Sequence, residues 1–331
     1  MTTLAHDHVR PTRTPRLSGP VWLVWRQHRA AYWTLVGLTL VGVLAMVVLR
    51  GQMTDYLNTS APASGALPPD FEKYSGRLTR VGGCLTYLPV LAGVFLGAPL
   101  FAGDLESGTA KLVTSQSVGR LRWLTTKLTL TAALITLSTA ALSLTFAWWW
   151  SPIKGRDDTL EWTSGVFFDG TGPVPVAYAL LTFTLGAAIG LLLRRTLVSM
   201  AVTLGVVVAL GLVWDRFRLN LGHVLTLSSD QGIGPDAAQP ELPAQAIQQG
   251  QGTSFLTDSG ARLDWTTCLN GTDSDRARTA CLESKHVIGY TMDYLPVTQM
   301  HTMQWLGTGI MLAGTAAAVL FVVEWGRRRL L

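Results

Sequence analysis

Charged residues are scarce in this sequence of 331 residues. Asp, Glu, Lys and Arg make up 14% of it, whereas hydrophobic residues make up 48%. Soluble globular domains carry about 25% charged residues. A chain of this composition would expose too much apolar surface to water. The scarcity therefore excludes an ordinary soluble protein and indicates the lipid bilayer as the main solvent of the chain.

The sequence motifs of several enzyme classes are also missing. The chain has no GxxxxGK[ST] loop, which is the usual phosphate cradle of an ATPase, and neither HExxH nor GxSxG occurs. The six His are scattered, and the three Cys do not have the spacing of zinc ligands. We therefore expect no catalytic residue, no metal and no cofactor in this chain.

Long apolar runs are what the sequence does contain. A helix needs about 20 predominantly apolar residues to cross the hydrocarbon core. Six runs approach this length: 31–49, 84–102, 128–150, 174–193, 197–214 and 304–324. Ionisable residues are nearly absent from these runs, which counts against an ion-coupled transporter. The pattern predicts an all-α membrane protein with six transmembrane helices.

The basic residues predict how these helices are oriented. Lys and Arg gather in the cytoplasmic loops of membrane proteins. Four basic clusters fall on one side of the membrane if both termini are cytoplasmic, and they lie at 10–29, 111–127, 194–195 and 327–329. The net charge of the sequence is +5. Because the basic residues flank the apolar runs, we expect no nucleic-acid partner.

The same pattern divides the chain into regions. We predict a cytoplasmic N-terminal segment, five spans with a cytoplasmic segment between the second and the third, an extracellular insert or cap, and a sixth span with a basic cytoplasmic tail. Their bounds are 1–30, 31–214 with 103–127, 215–303, and 304–331.

Two features are typical of residues at the membrane surface. Residues 20–33 read as an amphipathic helix lying along the cytoplasmic interface, and the alternative is that they extend the first span. Tryptophans recur near span ends, which favours an aromatic belt over a substrate-binding box. They are Trp148, Trp149, Trp150, Trp214, Trp305 and Trp325.

The three cysteines differ in their surroundings. Cys84 begins an apolar run and reads as a small residue buried in the membrane. Cys268 and Cys281 lie 13 residues apart in the polar insert. An extracellular insert would be in an oxidising compartment, so these two are a candidate disulfide, with two free thiols as the alternative.

Small residues and prolines indicate close helix packing. Glycine or alanine recurs at four-residue spacing, which lets helices approach closely in lipid. The pairs are Gly93 with Gly97, Gly186 with Gly190, and Gly309 with Ala313. Pro89 and Pro99 lie in the second span and should kink it, because proline has no backbone N–H to donate.

The hydrophilic stretch FAGDLESGTAKLVTSQSVGRLRWLTTKL, residues 101–128, resembles the segment between the second and third spans of type-2 ABC exporter permeases. Members of that family typically show an acid, then Glu-x-Gly-Thr, then a Ser-x-x-Arg-like element and a Lys before the next span. The matching residues here are Asp104, Glu106, Gly108, Thr109, Arg120 and Lys127.

This resemblance implies the membrane subunit of an ATP-driven exporter in the bacterial plasma membrane. Two permease copies would pair, as a homodimer, and two copies of a separate ATP-binding cassette subunit would bind ATP and Mg. The six matched residues would couple the permease to that subunit. The second and fifth spans would face the dimer axis, so the resemblance assigns helix packing or the pathway to Pro89, Gly93, Gly97, Gly205 and Gly211.

The mostly apolar spans favour a hydrophobic or amphiphilic substrate, such as a drug, an antibiotic, a lipid or a peptide, and thus a role in multidrug or antibiotic efflux. The segment 215–303 is longer than the corresponding element of the family. The alternative function is therefore a non-transporting membrane scaffold or sensor whose extracellular insert binds a ligand or a protein. A membrane-embedded enzyme is a third interpretation.

Overall fold

The computed structural model describes residues 20–60, 62, 66–108, 119–157, 159–233, 237, 240–269 and 274–329. Within these residues six helices are long and apolar enough to cross a membrane. The prediction of six transmembrane helices is thereby confirmed.

The first three spans extend beyond their apolar runs. The first is α1 (Pro20–Ser60). The second is built from α2 (Glu72–Leu85), α3 (Leu88–Leu91), a π-helical turn (Ala92–Gly97) and α4 (Ala98–Glu106). The third is α5 (Arg120–Trp150).

Among the last three spans, the fifth and the sixth are separated in sequence by the insert. After a short helix α6 (Gly165–Phe168), the fourth span is α7 (Val174–Leu193). The fifth is α8 (Thr196–Phe217), which a 3-10 turn (Arg218–Leu221) continues. The insert contains α9 (Asp275–Ser284), and a 3-10 turn (Val297–Gln299) leads into the sixth span, α10 (Met300–Arg329).

The connections give the bundle two distinct ends. We call the basic end the one where α4, α7 and α10 finish, with Glu106, Arg194 and Arg328. We call the insert end the one where α1, α5 and α8 finish. The fourth and fifth spans are joined by Arg194 and Arg195 alone and run antiparallel. Arg194 takes a left-handed backbone conformation, φ 55°, and forms the tight turn between α7 and α8.

The fourth span is the centre of the bundle. In the most apolar 18-residue stretch of α7, 67% of the residues are buried. The corresponding stretches of α1 and α8 are 11% and 17% buried. Helix α7 packs against the second, third, fifth and sixth spans, whereas α1 packs chiefly against α5. The first and fifth spans are therefore the peripheral helices of the single chain.

The second span is interrupted where the prolines lie. The N–H of Ala98 bonds to the carbonyl of Gly93, five residues earlier, so the helix widens into a π turn just before Pro99. The hydroxyl of Thr182 donates to the carbonyl of Pro89 at 2.6 Å. A neighbouring helix thus adds a side-chain donor to this carbonyl, which also accepts the N–H of Ala92, and such contacts help broken helices to persist in membranes.

The insert is not helical as a whole, so the prediction of an all-α fold is wrong for this region. Four antiparallel strands form one sheet in the order β1-β4-β2-β3. They are β1 (Leu225–Ser229), β2 (Ile247–Thr257), β3 (Arg262–Leu263) and β4 (Val287–Leu295). In the register of this sheet, Leu227 faces Met292 and Phe255 faces Tyr290. β-Branched and aromatic residues in β4 favour extended backbone, which a reading of apolar runs alone does not detect.

The insert has its own small core and also joins the bundle. Phe255, Leu282 and Tyr290 pack together between the sheet and α9. At the membrane side, Leu295 and Met303 belong to the same apolar cluster as the insert ends of the spans. The sheet therefore packs against the insert end of the bundle.

Two of the tryptophans assigned to an aromatic belt lie elsewhere. Trp149 and Trp150 are only 1% and 4% exposed, and they pack in the apolar cluster at the insert end. Trp148 is 47% exposed and fits the belt. The belt assignment is wrong for Trp149 and Trp150, because consecutive helical residues point in different directions.

Residues 20–33 are continuous with the first span. The helix α1 runs through them without a break. This continuity agrees with an extension of the first span, whereas the position of the segment in the membrane interface stays a prediction.

Candidate functional site

A buried ion pair joins the second and third spans at the basic end. Lys127 lies in the second turn of α5 and is fully buried, and Asp104 lies near the end of α4 and is 5% exposed. The Lys127 ammonium donates to Asp104 Oδ2, and it also donates to the carbonyl of Leu100 at 3.3 Å. Removing two charges from water is costly unless they are paired and hydrogen-bonded, so this contact fixes the two helix ends together.

Side chains from two further directions complete this cluster. Gln27 of the first span donates from Nε2 to Asp104 Oδ1. The Lys127 ammonium lies 4.9 Å from the ring centre of Trp123, at a distance where a cation is attracted to an aromatic face. Asp104 therefore connects three spans through its carboxylate.

Glu106 makes a second connection, from the last residue of α4 to the fifth span. Its Oε2 accepts the backbone N–H of Thr196 at 2.8 Å. Thr196 is the first residue of α8, where N–H groups have no partner within the helix. A carboxylate at a helix N-terminus is stabilised by the helix dipole. The basic end of the second span is thus tied to the first, third and fifth spans.

The structure describes only some of the remaining residues of the predicted coupling segment. Gly108 follows α4 with φ 72°, a left-handed conformation that glycine adopts without steric cost. Arg120 begins α5. Thr109 lies outside the described residues.

The pairing of Asp104 and Lys127 is not predicted by the sequence alone. Both residues belong to the hydrophilic segment of the sequence, whereas the structure places them inside helices and away from solvent. A signal was present in the sequence, because an acid and a base flank the same hydrophilic gap at the ends of two neighbouring spans.

The glycine pairs of the second and fourth spans face each other. A Cβ on Gly93 would lie 2.9 Å from the carbonyl oxygen of Thr182, and one on Gly97 would overlap the carbonyl of Phe183. On the facing helix, a Cβ on Gly186 would overlap the carbonyl of Gly93. The two helices therefore contact through their backbones, and only small residues fit this seam.

The two glycines singled out in the fifth span lie differently. A Cβ on Gly205 would meet no atom of the described chain within 4 Å. A Cβ on Gly211 would lie 3.1 Å from the hydroxyl oxygen of Tyr178. Gly205 therefore faces outward from the bundle, and Gly211 faces α7.

A cleft of about 370 Å³ lies near Gly211, between the second and fifth spans. The π turn and the glycine seam hold the second span against α7, and the fifth span leaves a gap beside it. Among the described residues the cleft is lined by Leu85, Thr86, Tyr87, Pro89, Val90, Gly165, Val166, Asp169, Pro175, Tyr178, Val207, Val208, Gly211, Trp214 and Asp215. Most of these are apolar, and the acids lie toward the insert end.

A charged cluster at this end of the cleft was missed by the sequence interpretation. Asp169, in the connection after α6, accepts the indole N–H of Trp214 at 2.7 Å and the Arg218 guanidinium at 2.9 Å. Arg218 also pairs with Asp215 at 3.0 Å. Burial raises the pKa of Asp169 to about 6, and the nearby Asp215 adds to this, while Arg218 and Trp214 act in the opposite direction. Asp169 is far in sequence from Asp215 and Arg218, which lie together at the end of the fifth span. The sequence therefore does not indicate that the three charged residues meet.

The two cysteines of the insert are joined. Cys268 and Cys281 form a disulfide with a Cα–Cα distance of 6.0 Å, and Cys84 is a free thiol. The bond connects the segment after β3 to α9, which packs on the sheet.

These features define a multi-pass membrane protein with a central fourth span, a tightly connected basic end and an apolar cleft. Residues 23–218 match the profile of a family described as ABC-2 membrane transporter related. The match covers more than half of the chain and includes the first five spans, so the chain belongs to this family. Its members are membrane subunits of ABC transporters, generally without an ATPase site of their own. No curated protein gives a significant match to the chain.

Proposed function

We propose that this chain is the permease subunit of an ATP-driven exporter and couples to a separate ATP-binding subunit. The observation that supports the coupling role is the pair of contacts at the basic end. Lys127 with Asp104, and Glu106 with Thr196, connect the second span to the third and fifth. These contacts lie directly beside the hydrophilic segment between the second and third spans.

The contacts suggest how movement would pass into the membrane. A partner that pushes on the segment between α4 and α5 acts on both helix ends. Because Asp104 and Lys127 are buried and paired, separating the two helices would leave an uncompensated charge, so they move as a unit. The Glu106 carboxylate carries the same displacement to the first turn of α8. Since α8 borders the cleft, closure at the basic end would change the width of the cleft.

The proposed assembly has two permease copies and two ATP-binding subunits, which hold ATP and Mg, in the plasma membrane of a bacterium. The exposed face of α8 supports pairing of permeases at the fifth span. Leu197 and Leu212 are 81% and 70% exposed, and Gly205 opens outward on the same helix. Small residues at such a face permit close helix contact in lipid. The apolar cleft supports a hydrophobic or amphiphilic substrate.

Charge reversal at the basic end tests the coupling role. Glu106→Lys places a cation beside the N-terminus of α8, and Arg120→Glu reverses a second charge of the segment. We expect both variants to insert in the membrane at normal levels and to lose ATP-dependent transport of a neutral lipophilic dye by the reconstituted complex. Glu283→Lys, an exposed acid in α9, is the matched control and should transport normally. Normal transport by both variants would contradict the coupling role.

A further inference from the structure

The cleft between the second and fifth spans differs from a second apolar cavity among the described residues. A cavity of about 500 Å³ between α7, α8 and α10 is lined by apolar side chains and Tyr178, without a charged residue among the described lining. The cleft of about 370 Å³ is also mostly apolar, but Asp169 and Asp215 line its insert end. Both volumes are in the range of small-molecule sites.

The carboxylates of the cleft retain capacity for a further partner. A carboxylate accepts up to about four hydrogen bonds. Asp169 accepts one from Trp214 and one from Arg218, and the Asp215 side chain is 70% exposed. Arg218 is the cation that pairs with both acids, and it is not part of the cleft lining. With two carboxylates and one guanidinium, the cluster carries one net negative charge when both acids are ionised.

Aromatic residues line the same cleft as these acids. Tyr87, Tyr178 and Trp214 line the cleft, and the Trp214 indole bonds directly to Asp169. Aromatic faces attract cations, and they attract them more strongly where water is excluded. An anion in the cleft would instead meet two carboxylates, and a sugar would meet mostly apolar walls.

We propose that this cleft binds an amphiphilic cation, with its positive centre at Asp169 and Asp215 and its apolar body along the second and fifth spans. The occupant has one positive charge to match the net charge of the cluster. Its role as a transported substrate rests on the proposed function, whereas the binding itself does not.

The test compares two ions of the same shape and opposite charge. Tetraphenylphosphonium and tetraphenylborate are measured by equilibrium dialysis with the purified full-length chain in a neutral detergent, against matched empty micelles. We expect saturable binding of the phosphonium and none of the borate. Asp215→Asn should weaken phosphonium binding about tenfold, since a hydrogen bond or close contact to a charge contributes on the order of 1.5 kcal/mol.

Two further variants locate the site. Gly211→Leu fills the cleft next to Tyr178 without changing charge, and we expect it to reduce binding of the phosphonium as well. Asp230→Asn removes an exposed acid of the insert and is the matched control, with unchanged binding expected. Asp215 is exposed, so Asp215→Asn should fold even if a change at the buried Asp169 does not.

Each outcome decides the proposal. Equal binding of both ions, absence of phosphonium binding, or unchanged binding in Asp215→Asn and Gly211→Leu would overturn it. Phosphonium binding by a chain that exports nothing would keep the site and remove the proposed function. Export of a neutral dye by a chain that does not bind the phosphonium would remove the site and keep the function.

Discussion

Lys127 is a charged residue that lies fully inside the bundle. Its ammonium is fully buried, and its nearest charge is the carboxylate of Asp104. A buried pair contributes little net stability compared with apolar residues, but removing one partner is strongly destabilising. The pair is therefore better explained by the need to hold two helix ends in one arrangement than by stability.

A double-mutant cycle tests this explanation. Lys127→Met should lower the free energy of unfolding by about 3–5 kcal/mol, because it leaves the Asp104 carboxylate buried without its cation. The double variant Asp104→Leu with Lys127→Met should recover most of that loss. The measurement is thermal unfolding in detergent, with the exposed Lys73→Met as control. A double variant as unstable as the sum of the two single variants would contradict the pairing.

Asp169 gives a prediction that depends on pH. Its pKa is raised from 3.8 to about 6 in the folded protein, first of all by burial. The native state therefore holds this proton more tightly than the unfolded chain, and the free energy of unfolding falls as pH rises from about 4 to about 6.

The indole of Trp214 should report this titration, because it donates to Asp169. We expect the difference in fluorescence between the native chain and Trp214→Phe to change with a midpoint near pH 6. In Asp169→Asn this change should be absent. A flat difference between pH 4 and pH 8 in the native chain would show that Asp169 does not titrate there.

Among the elements, the second span and α7 meet at a seam of close backbone contact. The contact runs between backbones at Gly93, Gly97 and Gly186. Gly93 and Gly97 lie in the π turn of the second span and face α7, and Thr182 of α7 donates to the carbonyl of Pro89 just before that turn. The seam thus depends on small residues in both helices and on the interruption in one of them.

Two glycines of the second span make a matched pair for testing this seam. Gly97→Ala should destabilise the chain by about 1–3 kcal/mol, because the added methyl overlaps the carbonyl of Phe183. Gly83→Ala adds the same methyl where the described chain leaves open space, and should be neutral or stabilising by up to about 1 kcal/mol. Thermal unfolding in detergent measures both, and equal effects would argue against the seam.

The insert provides a chemical test. The chain has three cysteines, of which Cys268 and Cys281 are joined and Cys84 is free. Titration of the denatured protein should find one thiol before reduction and three after it. Cys268→Ser removes the bond and should lower the free energy of unfolding of the insert by about 3 kcal/mol for a loop of this size, so that protease cleaves the insert more readily. Cys84→Ser should not have this effect. Three thiols without reduction would exclude the bond.

The elements differ in how far the sequence predicts them. Six apolar runs specify six spans, because the length of a run and the thickness of the hydrocarbon core suffice for that inference. The sequence does not predict the sheet of the insert for two reasons. The strands β1 and β3 have only five and two residues. The pairing of β1 with β4 joins segments about 70 residues apart. The glycine spacing indicated close packing, but only the structure shows which helices meet at the glycines.

The candidate sites show the same limit. Asp104, Glu106 and Lys127 were singled out from a resemblance, and their actual contacts depend on which helix ends lie side by side. Asp169 and Arg218 are 49 residues apart and were not singled out at all. Contacts between distant residues of this kind follow from tertiary packing and leave no local pattern in the sequence.

At the scale of the whole molecule, a central fourth span is surrounded by helices that differ in how tightly they are held. The fifth span contacts the second near the basic end through Glu106, and it contacts the connection after α6 at the insert end through Trp214. The cleft lies along the insert half of the fifth span, from Val207 to Asp215. A helix tied to the second span at its first turn is suited to respond to movement at the basic end.

The proposed function requires that this chain works with a separate ATP-binding subunit. The most direct test is to purify the tagged chain from its native membrane in a mild detergent, and to measure its partners and the ATP hydrolysis of the eluate. The account predicts an ATP-binding subunit in equal amount, with two copies of each chain, and loss of hydrolysis or of the partner in Glu106→Lys. Recovery of the intact chain without any ATP-binding subunit would contradict the account and favour a scaffold or sensor built around the insert.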